Sequence, residues 1–486
     1  MKITRLILTV SAASALVACT ASGPVNAPLT PPAPQWQASL PQQNEKAADL
    51  RLWWQAQADA TLLELIDAAQ AVSPSVAQAW SRIQAARASR VASGAALLPS
   101  LDAVVNSSRV KNQPGVPVAT VSQAGLQTAW ELDLFGGNRA TNRAAQADFE
   151  GSQALWHDAR ISVAAEVAQS YFSALSCQQL SDLTAQDAKS RAETARLTDL
   201  SAQAGMTASA VAGVTRASAA EGNSRAIQQA AQCDLDIKAL VAMTAIPEPE
   251  LRQKLTAAAA TFKNLLPAGV TSVPAKALNQ RPDIYAAEKE VTAASEQTGA
   301  AEARRYPRLS LSGSIGTMRY STMGTDTNMN TWSVGPLALT LPLFDGGQIS
   351  ANIEAAKARY VAAASNYNSK VRQAVREVEE ALVNLQSTDA RRLDSELAAR
   401  AYSEALASTT ARYNKGMASL LELEDARRTA FASQSTLVNL QLERNRAWIS
   451  LYRALGGGWD ASQPVPTSNG NVNGKDSVSM STGSNT

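Results

Sequence analysis

The 486-residue chain carries 44 lysines and arginines against 42 aspartates and glutamates, and its net charge of +2 excludes a broad basic field for nucleic acid. Aromatic residues make up only 5%, too few for a thick globular interior, while alanine is abundant and suits long helices packed closely together. The single histidine, His157, argues against a multi-histidine metal site and histidine-based catalysis, and reads as an ordinary helix residue; no cofactor is expected.

The chain opens with "MKITRLILTVSAASALVAC", where Lys2 and Arg5 precede an apolar stretch too short to cross a bilayer. It ends in "LVAC", Leu16 to Cys19, which matches a bacterial lipobox. Residues 1–18 are therefore expected to be a lipoprotein signal peptide, cut before a lipidated Cys19; a plain secretory signal with a chance cysteine is the alternative. Thr20 stands after the cysteine where an inner-membrane lipoprotein would carry Asp, which points to the outer membrane. No apolar run of helix-spanning length follows, so any further membrane contact must be made by strands.

The rest of the chain reads as one design used twice. A helix signal at "SPSVAQAWSRIQAARA" from Ser73 is answered by "RPDIYAAEKEVTAASE" from Arg281. A strand signal at "LPSLDAVV" is answered by "YPRLSLSG", with Pro99 matching Pro307. "LDLFGGNR" is answered by "LTLPLFDGGQ", and "QAGMTAS" by "NKGMASL", so that Gly205 matches Gly416. Each half then predicts a helix, two strands, a very long helix, a glycine turn and a return helix. Residues 138–204 and 348–415 contain no proline, and a continuous helix of that length would run about 100 Å. The expected organisation is a lipidated extended segment (19–60), a first repeat (61–270), a second repeat (271–459) and a Ser/Gly/Asn-rich disordered tail (460–486).

The strands alternate. Leu126, Trp130, Leu132 and Leu134 share one face, with Gln123, Gln127, Glu131 and Asp133 on the other. Leu309, Leu311 and Ile315 oppose Ser310, Ser312 and Ser314, and Leu337, Leu339, Leu341 and Leu343 form a further apolar face. Pro336 and Pro342 weigh against a strand there, because proline cannot donate to a ladder. A soluble sandwich is the alternative, but an exported chain with a polar second strand face favours a membrane barrel with a wet lumen. Four strands cannot close a barrel, and an open edge in lipid leaves main-chain groups unsatisfied at several kcal/mol each. The chain must pool its strands with copies of itself.

At "LVAC", "WWQAQADATLLELIDAA" from Trp53, the two Phe-Gly-Gly junctions and "ARYNKGMASLLELEDAR", the chain resembles the TolC-type outer-membrane efflux proteins, in their lipoprotein (OprM- and NodT-like) branch. The resemblance implies a mixed α and β membrane protein: a homotrimer with one 12-stranded barrel continuing into a periplasmic helical tunnel, ringed by a belt that would include "IPEPELRQKL". It implies an exit duct in outer-membrane lipid, fed by a periplasmic adaptor and an inner-membrane transporter of the RND type, with no catalysis. Tyr413, Glu422 and Asp425 match the family's periplasmic gate, and Gly205, Met206, Gly416 and Met417 its adaptor-facing tips. Two departures stand out. Ala418 replaces a gate arginine and Val211 an acidic residue, so an inter-helix salt-bridge lock does not carry over; one carboxylate cluster per subunit, Glu422 and Asp425, remains.

Cys177 and Cys233 lie equally far on either side of Gly205, so an antiparallel hairpin brings them to one height in an oxidising compartment. A disulfide is expected, with two buried free thiols as the alternative. A duct for type I protein secretion remains a second functional reading. A periplasmic adaptor lipoprotein is a third, which the doubled strand-bearing architecture disfavours. An exported enzyme lacks any nucleophile–base grouping, metal spacing or phosphate loop.

Overall fold

The computed structural model describes residues 35–40, 50–57, 59–111, 117–261, 265, 278, 280–462 and 465. The signal segment, Cys19, most of the stretch leading to Pro274 and nearly all of the tail lie outside the described residues. In chain order the elements are α1 (Trp53–Ala56), α2 (Ala60–Val72), α3 (Pro74–Ala95), β1 (Ser100–Val110), β2 (Ala119–Leu132), α4 (Gly137–Gln203), α5 (Ser209–Thr244) and α6 (Glu248–Thr261). There follow α7 (Pro282–Ala303), β3 (Arg308–Thr322), β4 (Thr325–Thr340), α8 (Gln348–Asn414) and α9 (Leu420–Ala454). The helix–strand–strand–long helix–return helix order thus occurs twice, and each long helix has 67 residues. Two compact units arise, each drawing on both repeats.

One unit holds Ser81–Ala154 and Asp283–Lys370. Its strands form a single antiparallel sheet in the order β1-β2-β3-β4. Within this sheet β1 and β4 are outermost, so among the described residues each presents one edge that no other strand covers. Gly125 faces Gly316 across the centre, where an added Cβ on Gly125 would stand 2.6 Å from the Ile315 carbonyl oxygen. Two glycines in register let the two backbones approach and the sheet curve. Pro336 does lie inside β4; the register shifts between Leu311 and Gly313, so Ser312 alone opposes Gly335 and Pro336, and the extra residue absorbs the missing donor. Leu341 and Leu343 do not extend the apolar face as expected, because β4 ends at Thr340 and Pro342 follows with no N–H to give.

Both long helices leave the sheet by the same device. The Asp133 carboxylate accepts the N–H groups of Asn138 and Arg139 at 3.0 and 2.9 Å, and Asp345 accepts those of Gly347 and Ile349 at 2.9 and 2.7 Å. An acid there satisfies otherwise unpaired donors and complements the positive end of the helix. Alanines then let the helices touch: Ala144 and Ala147 pack on Ala293, and Val291 and Ala294 pack on Tyr360, Ala363 and Ala364.

The other unit comprises the described residues up to Trp80, Leu155–Pro282 and the chain from Val371. Its core gathers the scarce aromatics. Trp53, Trp448, Tyr171 and Phe172 are fully buried; Tyr452 stacks on Trp53 and meets Trp54 edge-on, and the three ring centroids lie 4.6 to 5.1 Å apart. Buried Arg281 holds the end of α9 through the Ala454 carbonyl and pairs with Glu377, both at 2.8 Å. The "IPEPELRQKL" stretch becomes α6, tied to α5 by Lys238–Glu248 and Arg252–Asp234 and to α2 by Lys254–Glu64. His157 lies on α4, half-buried, with its ring edge against Trp156. Burial, then the neighbouring Arg160 charge, lower its pKa to about 4, so it is neutral at ordinary pH. Among the described residues no helix is long and apolar enough to cross a membrane.

Candidate functional site at the hairpin ends

The two helical hairpins turn identically. Gly205 takes φ +75° and donates to the Ala202 carbonyl at 3.0 Å, while Met206 donates to Ser201 at 2.9 Å. Gly416 takes φ +73° and donates to Tyr413 at 2.9 Å, while Met417 donates to Arg412 at 2.9 Å. This is the Schellman closure, in which a left-handed residue caps the last carbonyls, and glycine takes that conformation without a Cβ clash. Beyond each glycine a methionine stands out, Met206 at 78% and Met417 at 59% exposure. Ordinarily such a residue packs on the one five positions earlier; here those are Ser201 and Arg412, both polar.

The return helix α9 starts at Ser419 with a capping box. Ser419 Oγ accepts the Glu422 N–H at 3.2 Å, and Glu422 accepts the Ser419 N–H at 2.6 Å. That main-chain N–H, followed by the Ser419 side chain, holds the Glu422 carboxyl below the usual range. Arg412 lies 3.8 Å from Glu422, and Asp425 is paired with Arg428. Tyr413 is half-buried. The three expected gate residues therefore sit on one hairpin end, with each carboxylate already beside a cation of its own chain.

Between Glu422 and Asp425, Glu424 turns inward and joins three helices. Its carboxylate accepts Arg191 of α4 at 3.1 Å, Ser218 of α5 at 3.1 Å and Arg427 of α9 at 2.7 Å. Arg191 also pairs with Asp187 at 2.8 Å and donates to Ser218 at 2.6 Å; Arg427 donates to Thr194 at 2.6 Å. The Arg191 and Arg427 side chains are each 9% exposed. Gly222 on α5 makes the room, since a Cβ there would stand 2.9 Å from Arg191 Cδ. An inter-helix ion network exists after all, built from residues other than those the family pattern marks. Its sequence traces were the i,i+4 pair Asp187–Arg191, the i,i+3 pair Glu424–Arg427 and a glycine in mid-helix, each too common to single out.

Farther along the first hairpin the Cys177 and Cys233 sulfurs lie 2.06 Å apart, with Cα atoms at 5.5 Å, so they are placed as a disulfide between α4 and α5.

The outer membrane efflux protein family model matches residues 65–245 and 273–457. Outer membrane protein OprJ of Pseudomonas aeruginosa is 33% identical over 466 residues, covering 93% of this chain and 95% of OprJ. Nodulation protein T of Rhizobium leguminosarum bv. viciae is 28% identical over 450 residues, covering 90% of this chain and 91% of its own. A crystal structure of a membrane protein from Pseudomonas aeruginosa superposes with a TM-score of 0.80 at 30% identity, over 91% of this chain and 98% of that one. With the repeat, the sheet and both long hairpins accounted for, the chain belongs to the outer membrane efflux protein family.

Proposed function

We propose that three copies of this chain form one exit duct. The carrying observation is the four-stranded sheet whose two outermost strands each leave one edge unpaired among the described residues. In lipid those edges must pair, and joining β4 of one copy to β1 of the next closes twelve strands with no free edge. The protein is an outer-membrane efflux channel that extends into the periplasm. Conduction through it is passive: the duct supplies a wet path and carries out no chemistry. Energy and choice of cargo come from an inner-membrane transporter of the RND type, through an adaptor that meets the Met206 and Met417 tips.

Cys19 carries the lipid that holds the N-terminus to the outer membrane. The Cys177–Cys233 disulfide clasps α4 to α5 in the oxidising periplasm. Tyr413, Glu422 and Asp425 line the periplasmic mouth, and the Glu424 network holds α9 against α4 and α5 while the mouth is closed. A buried, hydrogen-bonded ion network suits that role, because it adds less stability than an apolar contact yet fixes one arrangement over others.

The test is deletion of the gene in its host, with growth measured against antibiotics, dyes, phenolics and metal salts. Sensitivity restored by the intact gene supports the efflux duct. A strain that instead stops secreting a protein supports the secretion duct, and absence of conductance in a planar bilayer sinks both.

A further inference from the structure

A cavity of about 230 Å³ opens where α1, α2, α4 and the end of α9 meet, all within one compact unit. Trp54, Leu63, Ile66, Tyr452 and Trp459 supply its apolar and aromatic walls. Gly457, at φ +60°, lets main chain lie against the wall, since a Cβ there would stand 2.9 Å from the Tyr452 hydroxyl. Small-molecule sites have this make-up, mostly apolar with a few convergent polar groups.

Three polar side chains border the same space, and the protein leaves each with bonding capacity to spare. Arg160 is held in place: its Nε donates to Gln70 Oε1 at 2.9 Å, and the Gln70 amide donates to the Arg160 carbonyl at 3.0 Å. Its guanidinium also lies 4.9 Å from the centre of the Trp156 ring. Among the described residues the terminal nitrogens of Arg160 meet no acceptor, and burial lowers its pKa. Asp67 feels the Arg160 charge without forming a direct ion pair, and burial outweighs that charge to raise its pKa. His157 Nε2 is buried without a partner among the described residues. Buried polar groups are ordinarily satisfied, so three together beside aromatic walls point to a ligand.

The pair dictates the ligand's polar group. Arg160 can only donate and ionised Asp67 can only accept, so the complementary group does both, and a hydroxyl does both at one atom. Ligand charges would have to shed their hydration on entering, a cost that a neutral hydroxyl avoids. The indole and phenol walls suit a flat ring as the body. We propose that this cavity binds a small uncharged aromatic molecule of one or two rings that carries a hydroxyl. Arg160 donates to the hydroxyl oxygen, Asp67 accepts its hydrogen, and Trp54, Tyr452 and Trp459 enclose the ring. The bound molecule braces α2 against α4 and the end of α9. Arg160 lies about 65 Å along α4 from its end at Gln203, so this site is distinct from the hairpin ends.

The experiment dialyses full-length protein in lipid nanodiscs against β-naphthol, its methyl ether, and tryptophan as a zwitterion, with protein-free discs as the blank. β-Naphthol should bind saturably and at least about tenfold tighter than the ether, which cannot donate to Asp67; that factor matches one hydrogen bond to a charged group. Asp67→Ala, at an exposed position, should bring β-naphthol down to the affinity of the ether and leave the ether unchanged. Gln55→Trp, at an exposed position on the cavity's edge, should fill the opening and abolish the binding of both. An unaltered heat-dissociation midpoint without ligand shows that each variant has folded, and the ligand series alone decides the case where one has not. No saturable uptake of β-naphthol, or equal affinities for β-naphthol and its ether, overturns the proposal. Tighter binding of tryptophan assigns the cavity to a zwitterion and overturns it too. So does β-naphthol binding that survives Gln55→Trp, since the uptake then lies elsewhere.

Discussion

Arg191 and Glu424, 233 residues apart in the chain, meet at 3.1 Å with their side chains 9% and 19% exposed. One comes from the first repeat and the other from the second, so this contact joins the two hairpins. Glu424→Ala leaves the Arg191 and Arg427 guanidiniums short of an anion and should cost about 3 kcal/mol. Arg191→Met and Arg427→Met together with Glu424→Leu remove all three charges, leave Asp187 beside Arg225 at 3.5 Å, and should recover most of it. Heat stability of the assembled protein reads this cycle. In a bilayer, Glu424→Ala should also raise the open probability, and unchanged conductance would separate the network from gating.

Glu422 and Asp425 make a different prediction. Their substitution to Gln and Asn leaves the fold in place, apart from a capping box worth about 1 kcal/mol. If they line the mouth, the pair of changes should weaken the response of single-channel current to added divalent cations. An unaltered cation response places them on a solvated helix face instead.

Peptide mapping without reduction should recover Cys177 and Cys233 in one linked fragment. Cys177→Ser with Cys233→Ser should then lower stability by at most about 4 kcal/mol, the chain-entropy value for a separation of 56 residues. Two thiols open to alkylation after unfolding would rule the bridge out.

Gly125→Val puts a side chain where the Ile315 carbonyl stands 2.6 Å away, and main chain cannot step aside as a flexible side chain can. Assembly of heat-resistant oligomer should fall severalfold. Gln127→Ala on the same strand should assemble normally.

His157 predicts a pH dependence. Its folded pKa of about 4 lies below the unfolded 6.5, so the unfolded chain binds the extra proton first. Stability from this residue is complete above pH 6.5 and declines as pH falls toward 4, by up to about 3 kcal/mol. His157→Leu should flatten that part of the profile, read as the heat-dissociation midpoint at a series of pH values.

Sequence by itself determined what is local or repeated. Proline-free alanine-rich runs, paired glycine turns and period-two strands each follow from the chemistry of a few neighbouring residues, and doubling them made the layout legible. Even the equal spacing of Cys177 and Cys233 about Gly205 needs only the helix rise and one turn. Tertiary structure decided which way side chains face. Glu422, Glu424 and Asp425 share a turn of α9, yet only Glu424 turns into the packed helices, because Arg191 arrives there over Gly222. Likewise Leu343 looked like strand and is not, since β4 keeps its pairing with β3 only as far as Thr340, opposite Arg308. Facing and register depend on partners hundreds of residues away, and no periodicity within one segment carries that information.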